Sequence, residues 1–279
     1  EAYGYIAGGA GSEVSMKFNQ QAFDQWRIVP RMMRDVAERD LSVDLFGTRL
    51  SAPVIMAPIG VQSLAHPDGE LEVARAARLL DIPFCYSSAA TKSPEDVAAV
   101  AGDCPRWFQL YWPRDREITR SFVRRAETAG YSALVVTLDT RMLAWRERDL
   151  NLAFLPFLKA EGIGLYLSDP VFRSRLERPP EEDMATAVLT WAGGFSDLCH
   201  TWQDIAYLKE CTSLPIVLKG ILHPDDARLA VEHGGGDLRG QEAHDDRHRV
   251  ERDDHDEAGH EAGGHQVGDR LDAHHLQRV

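Results

Sequence analysis

No stretch of the chain approaches the ~20 consecutive apolar residues that a membrane-spanning helix needs. A place within the bilayer is therefore not expected. Cysteine is sparse: Cys85, Cys104, Cys199 and Cys211 are the only four in 279 residues. They form no disulfide scaffold, and no two have metal-knuckle spacing. Reduced thiols in a cytoplasmic protein are expected. Cationic residues are in deficit, with 31 Lys and Arg against 44 Asp and Glu, a net charge of −13. Such a chain repels phosphates, which makes it a poor candidate for generic nucleic-acid binding. GxGxxG, P-loop, GxSxG and HExxH motifs are all missing. An initiator Met and a signal-peptide pattern are missing too; the sequence starts at Glu1, and a fragment at the N-terminus is expected. What remains is ordinary globular composition, 44% hydrophobic and 27% charged. It suffices for a sizeable core in one large domain or two small ones.

Composition divides the chain near Gly234. Residues 235–279 contain no aromatic residue and no Ile, Met, Cys or Lys. Seven of the eleven histidines fall there: His244, His248, His255, His260, His265, His274 and His275. Too little apolar surface is present to offset the entropy of ordering, so this tail is expected to be disordered. A rival reading takes His244 and His248, four apart with carboxylates nearby, as a metal-binding tail. No ligand spacing repeats, so no metal site is assigned.

Residues 1–234 read as strand–helix units. Short apolar runs recur at 53–58, 82–87, 107–111, 133–137 and 215–219. Continuous apolar strands of this kind are buried on both faces of a parallel sheet. Helical patterns lie between them. In residues 68–80, Leu71, Ala74, Ala77 and Leu80 fall on one face. Ser93 and Pro94 supply an N-cap and first-turn proline. Residues 116–129 form a helix stopped at Gly130, and residues 224–233 form the last. Strand–helix alternation predicts a parallel α/β architecture. Residues 151–200 interrupt it, with four prolines and the acidic run Glu181-Glu-Asp183. An insertion of that length after a strand is expected to be a lid or loop over a site.

In parallel α/β folds chemistry sits at the C-terminal ends of strands. Those ends here are Ala57-Pro58-Ile59-Gly60, Ser87-Ser88, Gln109 with Tyr111, Thr137-Leu138-Asp139, and Lys219. A Lys closing an apolar strand either meets an anion or carboxylate or is simply solvated. Gln109 and Tyr111, two apart, point the same way; a buried pair satisfied by backbone is the alternative to function. Arg146, in Trp145-Arg-Glu-Arg148, is either a ligand for an anion or a surface charge. Gly8-Gly-Ala-Gly11 is glycine-rich but follows no strand, which makes it a weak phosphate loop.

At these residues the chain resembles the FMN-dependent 2-hydroxy-acid oxidases and dehydrogenases. The likeness covers roughly residues 1–234. It runs through Tyr5-Ile-Ala-Gly-Gly-Ala-Gly11, Phe18-Asn19, Ala57-Pro-Ile-Gly60, Ala65-His-Pro-Asp-Gly-Glu70, Tyr86-Ser-Ser-Ala-Ala-Thr91, Phe108-Gln-Leu-Tyr111, Thr137-Leu-Asp-Thr140, Trp145-Arg-Glu-Arg148 and Leu218-Lys-Gly220. The glycine-rich start, the Tyr-Trp-Pro-Arg stretch and the Leu-Pro-Phe-Leu insertion look most like the lactate 2-monooxygenase branch. The resemblance implies a TIM (β/α)8-type barrel and FMN as cofactor. It implies flavin contacts from Ala57, Pro58, Ser87, Gln109, Thr137 and Lys219, and substrate contacts from Tyr5, Tyr111 and Arg146. It further implies oxidation of a lactate-like L-2-hydroxy acid to the 2-oxo acid or its decarboxylated product, with O2 as acceptor. Intact members are homo-oligomers. These residue types suit the chemistry: a cation such as Lys219 stabilises negative charge on a reduced flavin. Arg146 can grip a carboxylate as a two-point fork.

Members of the family continue after the helix at 224–233 into a sixth strand carrying a Ser-Asn-His-Gly-Gly-Arg motif with the catalytic His base, then a glycine-rich phosphate grip. Neither occurs in this sequence. No catalytic residue is therefore assigned, and an inactive family member is the alternative reading. The tail has the composition of a GC-rich gene read out of frame, so a frameshift near Gly235 is expected. About five of eight barrel strands are expected, leaving the barrel incomplete. Weak FMN retention and no lactate-dependent flavin reduction follow from the same gaps.

Overall fold

The computed structural model describes residues 1–195 and 197–234. The readings of the tail as disordered, metal-binding or frame-shifted, including those on His244 and His248, fall outside them. The chain opens with helices α1 (Ala2–Ala7) and α2 (Val14–Phe23). A hairpin of β1 (Val43–Leu45) and β2 (Thr48–Leu50) follows. Then come α3 (Glu70–Leu80), β3 (Phe84–Ser87), α4 (Pro94–Ala101), β4 (Arg106–Tyr111), α5 (Arg116–Thr128) and β5 (Leu134–Thr137). Helices α6 (Glu147–Leu152), α7 (Gly164–Leu167), α8 (Pro170–Arg173), α9 (Met184–Gly194) and α10 (Ile205–Cys211) precede β6 (Ile216–Lys219) and α11 (Pro224–Glu232).

Strands β3 to β6 form a parallel sheet in sequence order. This is the arc of a barrel wall, and it carries two chemically different faces. Phe84, Tyr86, Phe108, Leu110, Leu134, Val136 and Ile216 alternate onto the side that packs against the helices. The alternate residues Ser87, Gln109 and Thr137 fall on the other face. The helix boundaries follow from local chemistry. Ser93 Oγ accepts from Asp96 N, with Pro94 in the first turn of α4. Asp115 caps α5, and Gly130, at φ +76°, closes its C-terminal end.

Three expectations need correction, and one element, the hairpin, had none. Residues 53–58 are not a strand: Met56 makes a single parallel bridge to Phe84. Only the Met56–Pro83 and Cys85–Met56 hydrogen bonds form, because Val54 N turns back to Ala52 O at 2.8 Å and Pro58 has no donor to offer. Among the described residues the parallel sheet therefore has four strands rather than five. The hairpin at 43–50 was not predicted. Its turn, Phe46-Gly47, takes φ of +49° and +75°, and Phe46 sits on Trp107, 5.6 Å between ring centroids. On α3 the buried residues are Glu70, Ala74 and Ala77, whereas Leu80 is 62% exposed. Residues 151–200 are not a loop, since Phe157, Ile163, Leu165, Tyr166, Phe172 and Trp191 are buried in the same core as the sheet's helix-facing side, but Ala153, Phe154, Leu155, Leu158 and Phe195 do border a cavity shared with Tyr5 and Arg146.

Candidate functional site

The C-terminal ends of β3, β4 and β5 carry a joined row of polar side chains. Gln109, 2% exposed, accepts at Oε1 from Ser87 Oγ (3.2 Å) and Ser88 N (3.1 Å). Its Nε2 donates to Thr137 Oγ1 at 2.8 Å. Register explains the row, since Ser87 pairs with Gln109 and Gln109 with Val135, two residues before Thr137. The backbone-satisfied alternative for Gln109 is thus only partly what occurs, since side chains on both neighbouring strands hold it. The Ser88 hydroxyl, 3.5 Å from Gln109 Oε1, accepts from Tyr111 N at 2.9 Å. Lys219, at the end of β6, is half-exposed and lies 3.7 Å from Asp139 Oδ2. Both of its sequence readings therefore hold in part: it is solvated and it meets a carboxylate.

Tyr5, Tyr111 and Arg146 line one cavity of about 910 Å³, together with Pro58, Gly60, Ala89 and Phe157. Arg146 is no surface charge. Its guanidinium sits 4.6 Å over the Tyr5 ring, donates to the Tyr5 carbonyl and, at 2.8 Å, to Gly8 O, and faces Asp149 at 3.1 Å. Asp149 is buried, and neither carboxylate oxygen has a hydrogen-bond partner. Burial raises its pKa, and the Arg146 charge opposes that. Burial likewise raises the Tyr5 and Tyr111 hydroxyls, so both are donors at neutral pH; Arg146 opposes the shift at Tyr5. Gly8 to Gly11 is not a phosphate loop in this arrangement. Gly8 O receives Arg146, Gly9 N donates to Glu13 (3.0 Å) and Gly11 N donates to Trp145 O (2.7 Å). The glycines fasten the N-terminal helix to the segment that carries Arg146.

Of the predicted site residues, Tyr5, Tyr111, Arg146 and Pro58 share the cavity wall. Ser87, Gln109 and Thr137 form the buried polar row at the strand ends; none of them lines that cavity, and Thr137 lines a separate one with Trp112, His200 and Gly220. Ala57 is exposed beside Pro58. Sequence reasoning missed Asp149, whose signal was its i+3 spacing from Arg146, and Gly60. A Cβ at Gly60 would come 2.9 Å from Ala89 Cβ, so glycine lets these two walls approach. A half-covered cation, a buried amide and hydroxyls from adjacent strands, set beside a close-packed apolar wall, define a parallel α/β protein with its site at the strand ends.

The family model for FMN-dependent dehydrogenases matches residues 1–236, and the chain belongs to that family. It is 45% identical over 236 residues to "FMN-dependent alpha-hydroxy acid dehydrogenase qulF" of Penicillium citrinum, covering 84% of this chain and 59% of that protein. It is 41% identical over 235 residues to an L-lactate oxidase of Lysinibacillus sphaericus, covering 83% and 59%. A solved mandelate oxidase superposes with a TM-score of 0.70 at 37% identity, covering 84% of this chain and 62% of that one. The chain thus spans about six-tenths of the length of these relatives.

Proposed function

We propose that this chain carries the flavin-ring and substrate-binding part of an FMN-dependent oxidoreductase for a lactate-like L-2-hydroxy acid, with O2 as the final electron acceptor. The observation that carries the reading is the convergence of Tyr5, Tyr111 and Arg146 on one cavity, with Tyr111 tied to the Ser87–Gln109–Thr137 row through the Ser88 hydroxyl. The donor set suits FMN. Lys219, Gln109, Ser87 and Thr137 would hold the polar edge of its ring, and Ala57 and Pro58 an apolar face. FMN, when bound, supplies the two-electron acceptor.

The protein's own part is to bind, orient and polarise. Arg146, already oriented by Asp149 and by the carbonyls of the Tyr5–Gly8 segment, would meet the substrate carboxylate. The hydroxyls of Tyr5 and Tyr111 would donate to the carboxylate and the 2-hydroxyl. Lys219 would place positive charge where two-electron reduction creates negative charge. Release of the 2-oxo acid or of a decarboxylated product is a finer outcome, and the lactate 2-monooxygenase resemblance favours the second.

A second reading has the chain bind flavin and hydroxy acid without turnover. It is favoured by the cavity wall, which carries no histidine among the described residues. A positioned base contributes about 10²–10⁴-fold. One experiment separates the readings: FMN is added anaerobically, and its fluorescence and absorbance are followed as L-lactate is titrated. Bleaching in the wild type that Arg146→Ala abolishes supports the first reading. Saturable FMN binding without bleaching supports the second. Binding of neither FMN nor lactate sinks both.

A further inference from the structure

The substrate cavity holds one ion pair and no other charge on its described walls. Among the described residues that line it, Arg146 and Asp149 are the only charged ones; most of the rest are apolar, Ile6, Leu143, Leu150 and Phe154 among them. The two partners are not equally open to it. The Arg146 side chain is 24% exposed and that of Asp149 9%, and both Asp149 carboxylate oxygens are sealed from solvent. A ligand entering the cavity therefore meets the guanidinium and not the carboxylate.

The pair is also incompletely bonded. Arg146 Nε lies 3.1 Å from Asp149 Oδ2, yet neither this nitrogen nor either carboxylate oxygen makes a hydrogen bond. The guanidinium is held through Nη2 by the carbonyls of Tyr5 and Gly8 instead. No donor supports the Asp149 carboxylate, and Arg146 is the cation that acts on it. From α1 the Tyr5 hydroxyl faces it. The other charges packed around α6 are spent on each other, Glu1 with Lys159 and Glu13 with Arg148. Burial holds the Asp149 pKa above the ordinary carboxylate value, against the pull of Arg146. A ligand carboxylate that reaches Arg146 makes two anions share one cation in an apolar setting. Their repulsion favours the neutral form of Asp149, and that form leaves the full guanidinium charge to the ligand.

We infer that Asp149 sets the charge of this cavity, so that binding of a hydroxy-acid carboxylate at Arg146 is coupled to uptake of one proton by Asp149. This rests on the reading of the cavity as a hydroxy-acid site. The sign follows from linkage: the liganded protein holds more protons than the free one, so affinity rises as pH falls and levels off once free Asp149 is protonated too. The test is calorimetric titration of the full chain with L-lactate, which stays ionised between pH 7.5 and 5.0, in buffers of differing ionisation heat. Net proton uptake by the wild type is expected. Its affinity should rise toward the acid end by up to about tenfold per pH unit, the limit for one proton. Asp149→Asn keeps the shape and removes the charge. It should bind L-lactate about tenfold more tightly than the wild type at pH 7.5, with no proton uptake and a flat pH profile. Weaker binding in Asp149→Asn is what a purely orienting role gives, and it overturns the proposal, as does proton uptake that persists in that variant. Should Asp149→Asn fail to fold, the wild-type proton count still decides. Wild-type binding that Arg146→Ala abolishes, but that carries no proton, overturns the coupling and keeps the hydroxy-acid site. No L-lactate binding at any pH overturns both.

Discussion

Two segments lie outside the strand–helix alternation, and the fold treats them in opposite ways. Residues 24–42 contain no helix or strand and hold Trp26, Val29, Met32 and Val36 exposed, with Ile28 at 96% and Met33 at 101%. Residues 153–195 interrupt the alternation just as thoroughly, yet Phe157, Leu165, Phe172 and Trp191 are buried. Both segments are rich in large apolar side chains. The difference is a partner surface. The second segment's rings close on one another and on Phe122 of α5, and Asp169 ties it to Arg125. The first meets no comparable surface among the described residues. Apolar content states what a segment gains by burial; only a facing surface decides whether it is buried.

The sharpest way to break this comparison is to remove one ring from each segment. Trp191 is 2% exposed, stacks on Phe157 at 5.0 Å and lies 5.1 Å from Phe195. Trp191→Ala should cost about 3–5 kcal/mol, the usual range for emptying a large aromatic site. Trp26→Ala, on an exposed ring, should change stability by less than about 0.5 kcal/mol. Urea denaturation of the two variants checks this. Similar losses in both would mean that the 24–42 segment is packed in solution.

The same contrast explains how much was legible beforehand. Strands β3 to β6 announced themselves as apolar runs, and α4 and α5 through Ser93, Pro94 and Gly130, because those signals are local. Arg146 and Gln109 were visible as types suited to the chemistry. What Arg146 leans on was not: Gly8 lies 138 residues away, and no local pattern encodes that meeting. The run at 53–58 had the composition of a strand, but pairing depends on donors that its prolines lack. Residues 151–200 misled in the opposite direction. Their prolines suggested a loop, yet Pro156 and Pro170 open short helices, where a missing N–H costs nothing.

A smaller effect tests how the buried segment is fastened. Asp169 is fully buried. It accepts from Ser121 Oγ (2.6 Å) and from Phe172 N (2.9 Å) and pairs with Arg125 at 3.2 Å. Arg125 keeps a second carboxylate, Glu95, at 2.8 Å. Asp169→Asn therefore leaves no stranded cation, and it should cost about 1–3 kcal/mol through the weakened acceptor alone. The denaturant midpoint should fall by less than in Trp191→Ala. A null result would show that ring packing, without the ion pair, holds residues 153–195 in place.

The smallest effect lies where the buried segment rejoins the sheet. His200 stacks on Trp112 at 4.3 Å, and its Nε2 is 3.9 Å from Asp197 Oδ2. Burial pushes its pKa below the ordinary histidine value. Asp197 and Asp204 oppose that shift, while Arg141 and Arg116 add to it. The unfolded imidazole protonates near pH 6.5. As pH falls below that, the unfolded chain takes up the proton first, and folding stability declines until the folded imidazole is protonated as well. Above about pH 6.5 both states are neutral and His200 contributes no slope. His200→Asn should therefore lose less stability than the wild type between pH 7.5 and 5.5, with the difference confined to the acid half of that window. Urea midpoints at both pH values, read by tryptophan fluorescence to include Trp112, measure it. An equal loss in variant and wild type would assign the acid sensitivity of this joint to groups other than His200.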